Sequence, residues 1–126
     1  MRFLLDTHLL LWWLSNSQLL SSEARQLIGD PNNTVFVSAV SIWEVWLKSS
    51  IGKLRVPSGF AQKLALEPFE SLPLRAAHTP AVALLEWYHR DPFDRMLIAQ
   101  ASSENLILLT ADKALGAYGG SVRVAG

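Results

Sequence analysis

The chain has 126 residues, half of them hydrophobic: one domain's worth of sequence, with enough apolar side chains for a core unaided by disulfides. It has no cysteine, which excludes disulfide frameworks, thiolate zinc sites and cysteine nucleophiles, and fits a reducing, cytoplasmic setting. Eleven Lys plus Arg balance eleven Asp plus Glu, so no global positive field advertises nucleic-acid binding, and a local patch has to supply any such contact.

The opening apolar runs, 2–5 and 9–14, have the hydrophobicity of a signal peptide. Asp6 and His8 interrupt them and no small-residue cleavage site follows, so that reading is rejected. No run approaches the ~20 apolar residues of a membrane span, and the chain is expected to be soluble, with no membrane partner.

Residues 2–5 read as a buried strand ended by Asp6, and 7–14 as a helix broken by Ser15-Asn16-Ser17. Ser21-Ser22-Glu23 opens a second helix reaching Gly29. Asp30-Pro31-Asn32-Asn33 is a turn, and 34–37 a β-rich strand. Ser41-Ile42-Trp43-Glu44 has the pattern of a capping box, predicting a helix from Ser41 to about Ser50. A connector at 53–57, a short helix at 59–66 and a strand at 69–72 follow. Thr79-Pro80 opens a helix running towards Trp87 and Tyr88. In His89-Arg90-Asp91-Pro92-Phe93-Asp94, Asp91 reads as a cap and Pro92 as the first helical residue. Phe93, Leu97 and Ala101 supply the apolar stripe. A strand at 106–109, a last helical turn from Asp112 and a terminal strand at 122–124 complete the chain. Strands alternating with helices predict a single α/β domain over 1–126, with a mostly parallel central sheet flanked by helices in three layers.

Four acids fall at the punctuation points: Asp6, Glu44, Asp94 and Asp112. Each alone reads equally well as a helix cap or a first-turn acid favoured by the dipole. Asp6 resists that reading, because it abuts an apolar strand where an ionised carboxylate is costly. Strand exits of a parallel sheet share one edge, and the four acids together predict one crevice there. Carboxylates crowded in a crevice repel one another, and a hard divalent cation, Mg²⁺ or Mn²⁺, relieves the repulsion and suits phosphate chemistry.

These blocks resemble the PIN domain family, and within it the VapC-type toxins of toxin–antitoxin pairs. The resemblance spans essentially the whole chain. It rests on Leu4-Leu5-Asp6-Thr7, on Ser41-Ile42-Trp43-Glu44 with Lys48 and Gly52-Lys53-Leu54, on His89 to Arg95, and on Leu109-Thr110-Ala111-Asp112. It implies a cytoplasmic Mg²⁺- or Mn²⁺-dependent endoribonuclease. Asp6, Glu44, Asp94 and Asp112 would be its acidic metal-binding cluster, Thr7 and Thr110 its supporting hydroxyls, and Asp91 a neighbour. It also implies a small VapB-like antitoxin partner, a homodimer and a toxin–antitoxin hetero-oligomer. The rival readings are another metal-dependent phosphohydrolase or nuclease, and an inactive RNA-binding or scaffold module. A haloacid-dehalogenase-like phosphatase wants a second Asp where this chain has His8.

Lys48, four residues after Glu44, reads as an intrahelical ion pair or as a phosphate contact. Of Arg90 and Arg95, one is expected to meet phosphate and the other to be structural. The scatter of His8, His78 and His89 lacks ligand spacing, so packing or surface roles are expected. Trp43 and Trp46 are expected in the core, and one of Trp12 and Trp13 at the surface. Trp12 and Trp46 are candidates to line an antitoxin groove.

Overall fold

The computed structural model describes all 126 residues. Five parallel strands form the central sheet: β1 (Arg2–Leu5), β2 (Thr34–Ser38), β3 (Glu70–Leu72), β4 (Ile107–Thr110) and β5 (Val122–Val124), in the spatial order β3-β2-β1-β4-β5. The sheet is wholly parallel, as expected where crossovers run through helices. The helices are α1 (Thr7–Leu14), α2 (Ser22–Gly29), α3 (Ala39–Ser50), α4 (Phe60–Ala65), α5 (Thr79–Leu84) and α6 (Pro92–Glu104). Two 3-10 segments, Ala76–His78 and Lys113–Ser121, complete the α/β fold. No helix is long and apolar enough to cross a membrane.

Alternation along the central strands builds one core on each face of the sheet. Phe3, Leu5, Val35, Val37 and Leu109 pack with Leu9 and Leu10 of α1, Ala24 and Ile28 of α2 and Phe60 of α4. Leu4, Leu72 and Leu108 pack on the other face with Phe93, Leu97, Ile98 and Ala101 of α6. These are the three layers expected from the sequence. Helix α3 feeds both cores, through Val45 on one side and Val40 on the other.

Two helix boundaries differ from expectation. Helix α3 starts at Ala39, because the buried Ser38 hydroxyl at the end of β2 caps Val40 N–H at 2.9 Å. Ser41 is therefore inside the helix and Glu44 stands more than a turn from its start, freed from capping. Helix α5 stops at Leu84 and does not reach Trp87. The carbonyls of Leu85 and Glu86, which a longer helix would use internally, accept instead from the Arg95 guanidinium, and Val82 O accepts from it as well as from Leu85 N–H.

The tryptophans also depart from expectation. Trp43 and Trp46 are half exposed, while Trp12 and Trp13 are both partly buried against the first core. Three residues along a helix is a rotation that left Val45, not the indoles, facing inward.

Candidate active site

The strand order reverses about β1: the chain goes to β2 and β3 on one side and returns to β4 on the other. Ligand crevices in open parallel sheets lie at the carboxyl ends beside such a reversal. Asp6 follows β1 directly and Asp112 stands two residues beyond β4, while α3 and α6 deliver Glu44 and Asp94.

Each carboxylate is held by donors of its own. Asp6 is buried; one oxygen caps α1 by accepting from Leu9 N–H at 2.8 Å, and the other accepts from the Thr110 hydroxyl at 2.5 Å. Thr110 in turn accepts from Asp112 N–H at 3.0 Å, so one hydroxyl ties the exits of β1 and β4 together. Asp112 is exposed and caps the following 3-10 segment at Ala114 N–H. Glu44, also buried, accepts from the Thr7 hydroxyl at 2.6 Å and pairs through its other oxygen with the Lys48 ammonium. The Thr7 hydroxyl lies 3.0 Å from Ser41 Oγ as well. Asp94 N–H donates to the capping carboxylate of Asp91 at 2.9 Å, and Asp94 Oδ2 faces His89 Nε2 at 2.8 Å.

The electrostatics follow from burial and like charge. Burial, aided by the nearby Glu44 charge, raises Asp6 above the usual carboxylate range, against the pull of its Thr110 and Leu9 hydrogen bonds and of His8. Burial raises Asp94 to about 6, reinforced by Asp91, Asp6 and Glu44 and opposed by His89. Burial works to lower Lys48, but its hydrogen bond and charge interaction with Glu44, with Asp91 and Asp94 behind, leave it raised. Lys48 is thus a cation drawn into an anionic pocket; its side chain also lies over the Phe93 ring.

Sequence reasoning passed over His89. Its ring nitrogen and the carboxylate oxygens of Asp94 and Asp112 all lie within 4.8 Å of one another. His89 precedes Asp94 by five residues across the turn into α6, a spacing unlike the i, i+3 or i, i+4 pairs that mark ligands on one helix face. The readable signal was the Asp91-Pro92 helix start, which turns the chain back on itself between them. The donor chemistry of the whole set, carboxylate oxygens and one imidazole, fits a divalent cation.

Arg95 is corrected from a substrate contact to a structural residue. It is 3% exposed; its guanidinium donates to the carbonyls of Val82, Leu85, Glu86 and His89 and to the Tyr118 hydroxyl, with the Trp87 ring 3.7 Å away. Arg90 is exposed on the same loop. His78 is buried; Arg75 N–H donates to its Nδ1 and its Nε2 meets Glu104. His8 is exposed beside Trp12, ring centroids 6.0 Å apart, and the two line a cavity of about 250 Å³ with Asp6, Ala111 and Asp112.

The PIN domain model matches residues 3–120. Ribonuclease VapC22 of Mycobacterium tuberculosis is 33% identical over 120 residues, covering 91% of this chain and 90% of that protein. Among solved structures, VapBC2 from Rickettsia felis bound to a promoter DNA fragment aligns over 99% of this chain and 98% of its own, with TM-score 0.71 and 16% identity. A toxin–antitoxin complex from Klebsiella pneumoniae aligns over 96% and 95%, with TM-score 0.66 and 22% identity; at these identities the likeness is one of fold. The sheet order, the two-faced core and the match over residues 3–120 agree: the chain belongs to the PIN domain family.

Proposed function

We propose that this chain is a divalent-cation-dependent endoribonuclease and the toxin of a toxin–antitoxin pair. The observation that supports the reading is that Asp6, Glu44 and Asp94, from three elements, lie close enough for Asp6 and Glu44 to help raise Asp94 and for Glu44 to help raise Asp6, with donor atoms of His89, Asp94 and Asp112 within 4.8 Å of one another. A fold does not keep such a cluster for stability, since each charge raises the cost of the next. The 33% identity to a protein named as a ribonuclease supports RNA as substrate.

Asp6, Glu44, Asp94 and Asp112 would hold the cation, Mg²⁺ or Mn²⁺. The cation, when bound, neutralises the phosphate, activates water and stabilises the leaving oxygen. The rest is the protein's work. Thr110 and Leu9 N–H fix Asp6, and Thr7 fixes Glu44, so the carboxylates present their free lone pairs in set directions. Lys48 stands ready to exchange its pairing with Glu44 for a scissile phosphate. The cavity at His8 and Trp12 admits an unstacked base, which favours single-stranded or loop RNA. Exposed Arg90 offers a second phosphate contact. In-line hydrolysis would leave 5′-phosphate and 3′-hydroxyl ends.

The partner reading is a VapB-like antitoxin, supported by structural neighbours that are toxin–antitoxin complexes. Its tail has two apolar grooves available, one on each side of Trp43. The first, of about 500 Å³, includes Ile42, Trp46, Leu64 and Phe69; the second, of about 320 Å³, includes Leu74, Trp87 and Phe93. A tail arginine reaching the carboxylates would satisfy them as a cation does. A homodimer and a toxin–antitoxin hetero-oligomer in the cytoplasm complete the reading.

The test is cleavage of a single-stranded RNA with Mg²⁺ or Mn²⁺, stopped by chelator and absent in Asp94→Asn. Expression in cells should halt growth, and co-expression with the neighbouring small gene should restore it. Cleavage undiminished in chelator overturns the reading.

A further inference from the structure

We propose that His89 is a direct ligand of the cation, so that the centre is a mixed nitrogen–oxygen site that takes Mn²⁺ in preference to Mg²⁺. The inference rests on the proposed metal-dependent function and adds a ligand and a metal preference to it.

The first support is distance. Opposite donors around an octahedral cation lie about 4.2 Å apart when each is ~2.0–2.1 Å from the metal. Neighbouring donors lie about 3 Å apart by the same geometry; His89 Nε2 and Asp94 Oδ2 already stand at that spacing, 2.8 Å, and an Asp112 oxygen falls in the same group within 4.8 Å, so a swing of about 1–2 Å by the exposed Asp112 side chain brings all three to coordinating range.

The second support is how His89 is held. Its N–H donates to the Tyr118 hydroxyl at 3.1 Å and its carbonyl accepts from Arg95 at 3.3 Å. Tyr118 itself donates to Glu86 O at 2.7 Å, and Arg95 binds the carbonyls on the near side of the loop. A buried guanidinium and a tyrosine from a distant segment thus brace the loop that carries His89, its own N–H and carbonyl included. That residue's imidazole, 22% exposed, is aimed at Asp94 and not at solvent.

The chemical consequence follows from donor type. Mg²⁺ prefers an all-oxygen octahedron, whereas an imidazole nitrogen raises affinity for first-row transition ions. The competing role for His89 is a hydrogen bond that only orients Asp94. Glutamine can keep such a bond while withdrawing the ring nitrogen, so His89→Gln separates the two roles.

The experiment is pulsed electron paramagnetic resonance of Mn²⁺ bound to the full chain carrying ¹⁵N-labelled histidine, with calorimetric titration of Mn²⁺ and of Mg²⁺. The expected result is a directly coupled ¹⁵N in the wild type, retained in His8→Gln and His78→Gln and lost in His89→Gln. The Mn²⁺:Mg²⁺ affinity ratio should fall at least about tenfold in His89→Gln. Absence of nitrogen coupling in the wild type, or coupling and ratio unchanged in His89→Gln, overturns the inference. If the wild type binds Mn²⁺ without nitrogen coupling yet cleaves RNA, the inference fails and the proposed function stands. Coupling without cleavage upholds the ligand and overturns the nuclease, and no Mn²⁺ binding at millimolar concentration sinks both.

Discussion

Helix α6 contributes to two groups of polar side chains, through Gln100 to one and through Asp94 to the other, and they are built on opposite principles. In one, the Ser38 hydroxyl donates to Gln100 Oε1 at 2.5 Å, and the Gln100 amide lies 3.3 Å from Pro73 O and 3.4 Å from His78 Nδ1. His78 meets Glu104 at its far nitrogen. Donors and acceptors alternate, and the group closes without any outside partner. In the other, Asp6, Glu44 and Asp94 are all acceptors, their internal donors are two hydroxyls, the Leu9 N–H, His89 and Lys48, and Asp6 and Asp94 stay raised in spite of them. Complementary burial makes the first a brace between β2 and α6. Like-charge burial makes the second a receptor for a cation, because only an added positive charge completes it.

The contrast is broken most severely at Asp94. Asp94→Asn removes a charge and keeps the shape, so RNA cleavage should fall on the order of 10³-fold or more while the fold survives. Thermal unfolding with and without Mn²⁺ checks the cause: the metal-induced rise in midpoint should shrink relative to wild type. An unchanged rise would remove Asp94 from the ligand set.

The next effect is on pH. Asp94 lies at about 6 in the folded protein against 3.8 for the free side chain, so its ionised form is disfavoured by roughly 3 kcal/mol. Because the folded value is the higher one, this contribution is harmless below pH 3.8 and destabilises increasingly as pH rises to about 6, then levels off. Denaturant titrations of metal-free protein between pH 4 and 7 should show that loss in wild type and less of it in Asp94→Asn. Parallel curves would mean that Asp94 titrates normally.

The brace should behave in the opposite way. Gln100→Leu leaves Pro73 O without its donor and Ser38 without its acceptor, which should cost about 2 kcal/mol of stability by denaturant midpoint. Metal affinity per folded molecule should stay the same, because none of the four acids touches Gln100. A large loss of affinity would show that the brace sets the site geometry.

Lys48→Met acts on the pocket's own cation. Lys48 is 30% exposed but Glu44 only 4%, so the change leaves a buried carboxylate held by Thr7 alone, and metal-free stability should drop by about 1–2 kcal/mol. Cation binding should tighten, since a resident competitor for Glu44 has gone, and titration of Mn²⁺ would show it. Weaker binding would mean that Lys48 organises the site instead of competing for it.

By itself the sequence determined the strands, the helices and the acids at their junctions. Those are local decisions: apolar runs of four residues, Ser21 and Asp91 as caps, Pro92 as a helix start, Asp6 abutting a buried strand. The tertiary structure decided everything that depends on two segments meeting. It moved the start of α3 from Ser41 to Ala39, because the Ser38 side chain had a buried partner on α6 that no local pattern reveals. It cut α5 short and took Arg95 out of reach of substrate through one guanidinium binding four carbonyls, a demand invisible until the loop is folded over it. It turned Trp43 and Trp46 outward, because a helix serving two cores had given its inward faces to Val40 and Val45. It brought His89 beside Asp94, because a turn reverses direction in space where sequence spacing counts only residues.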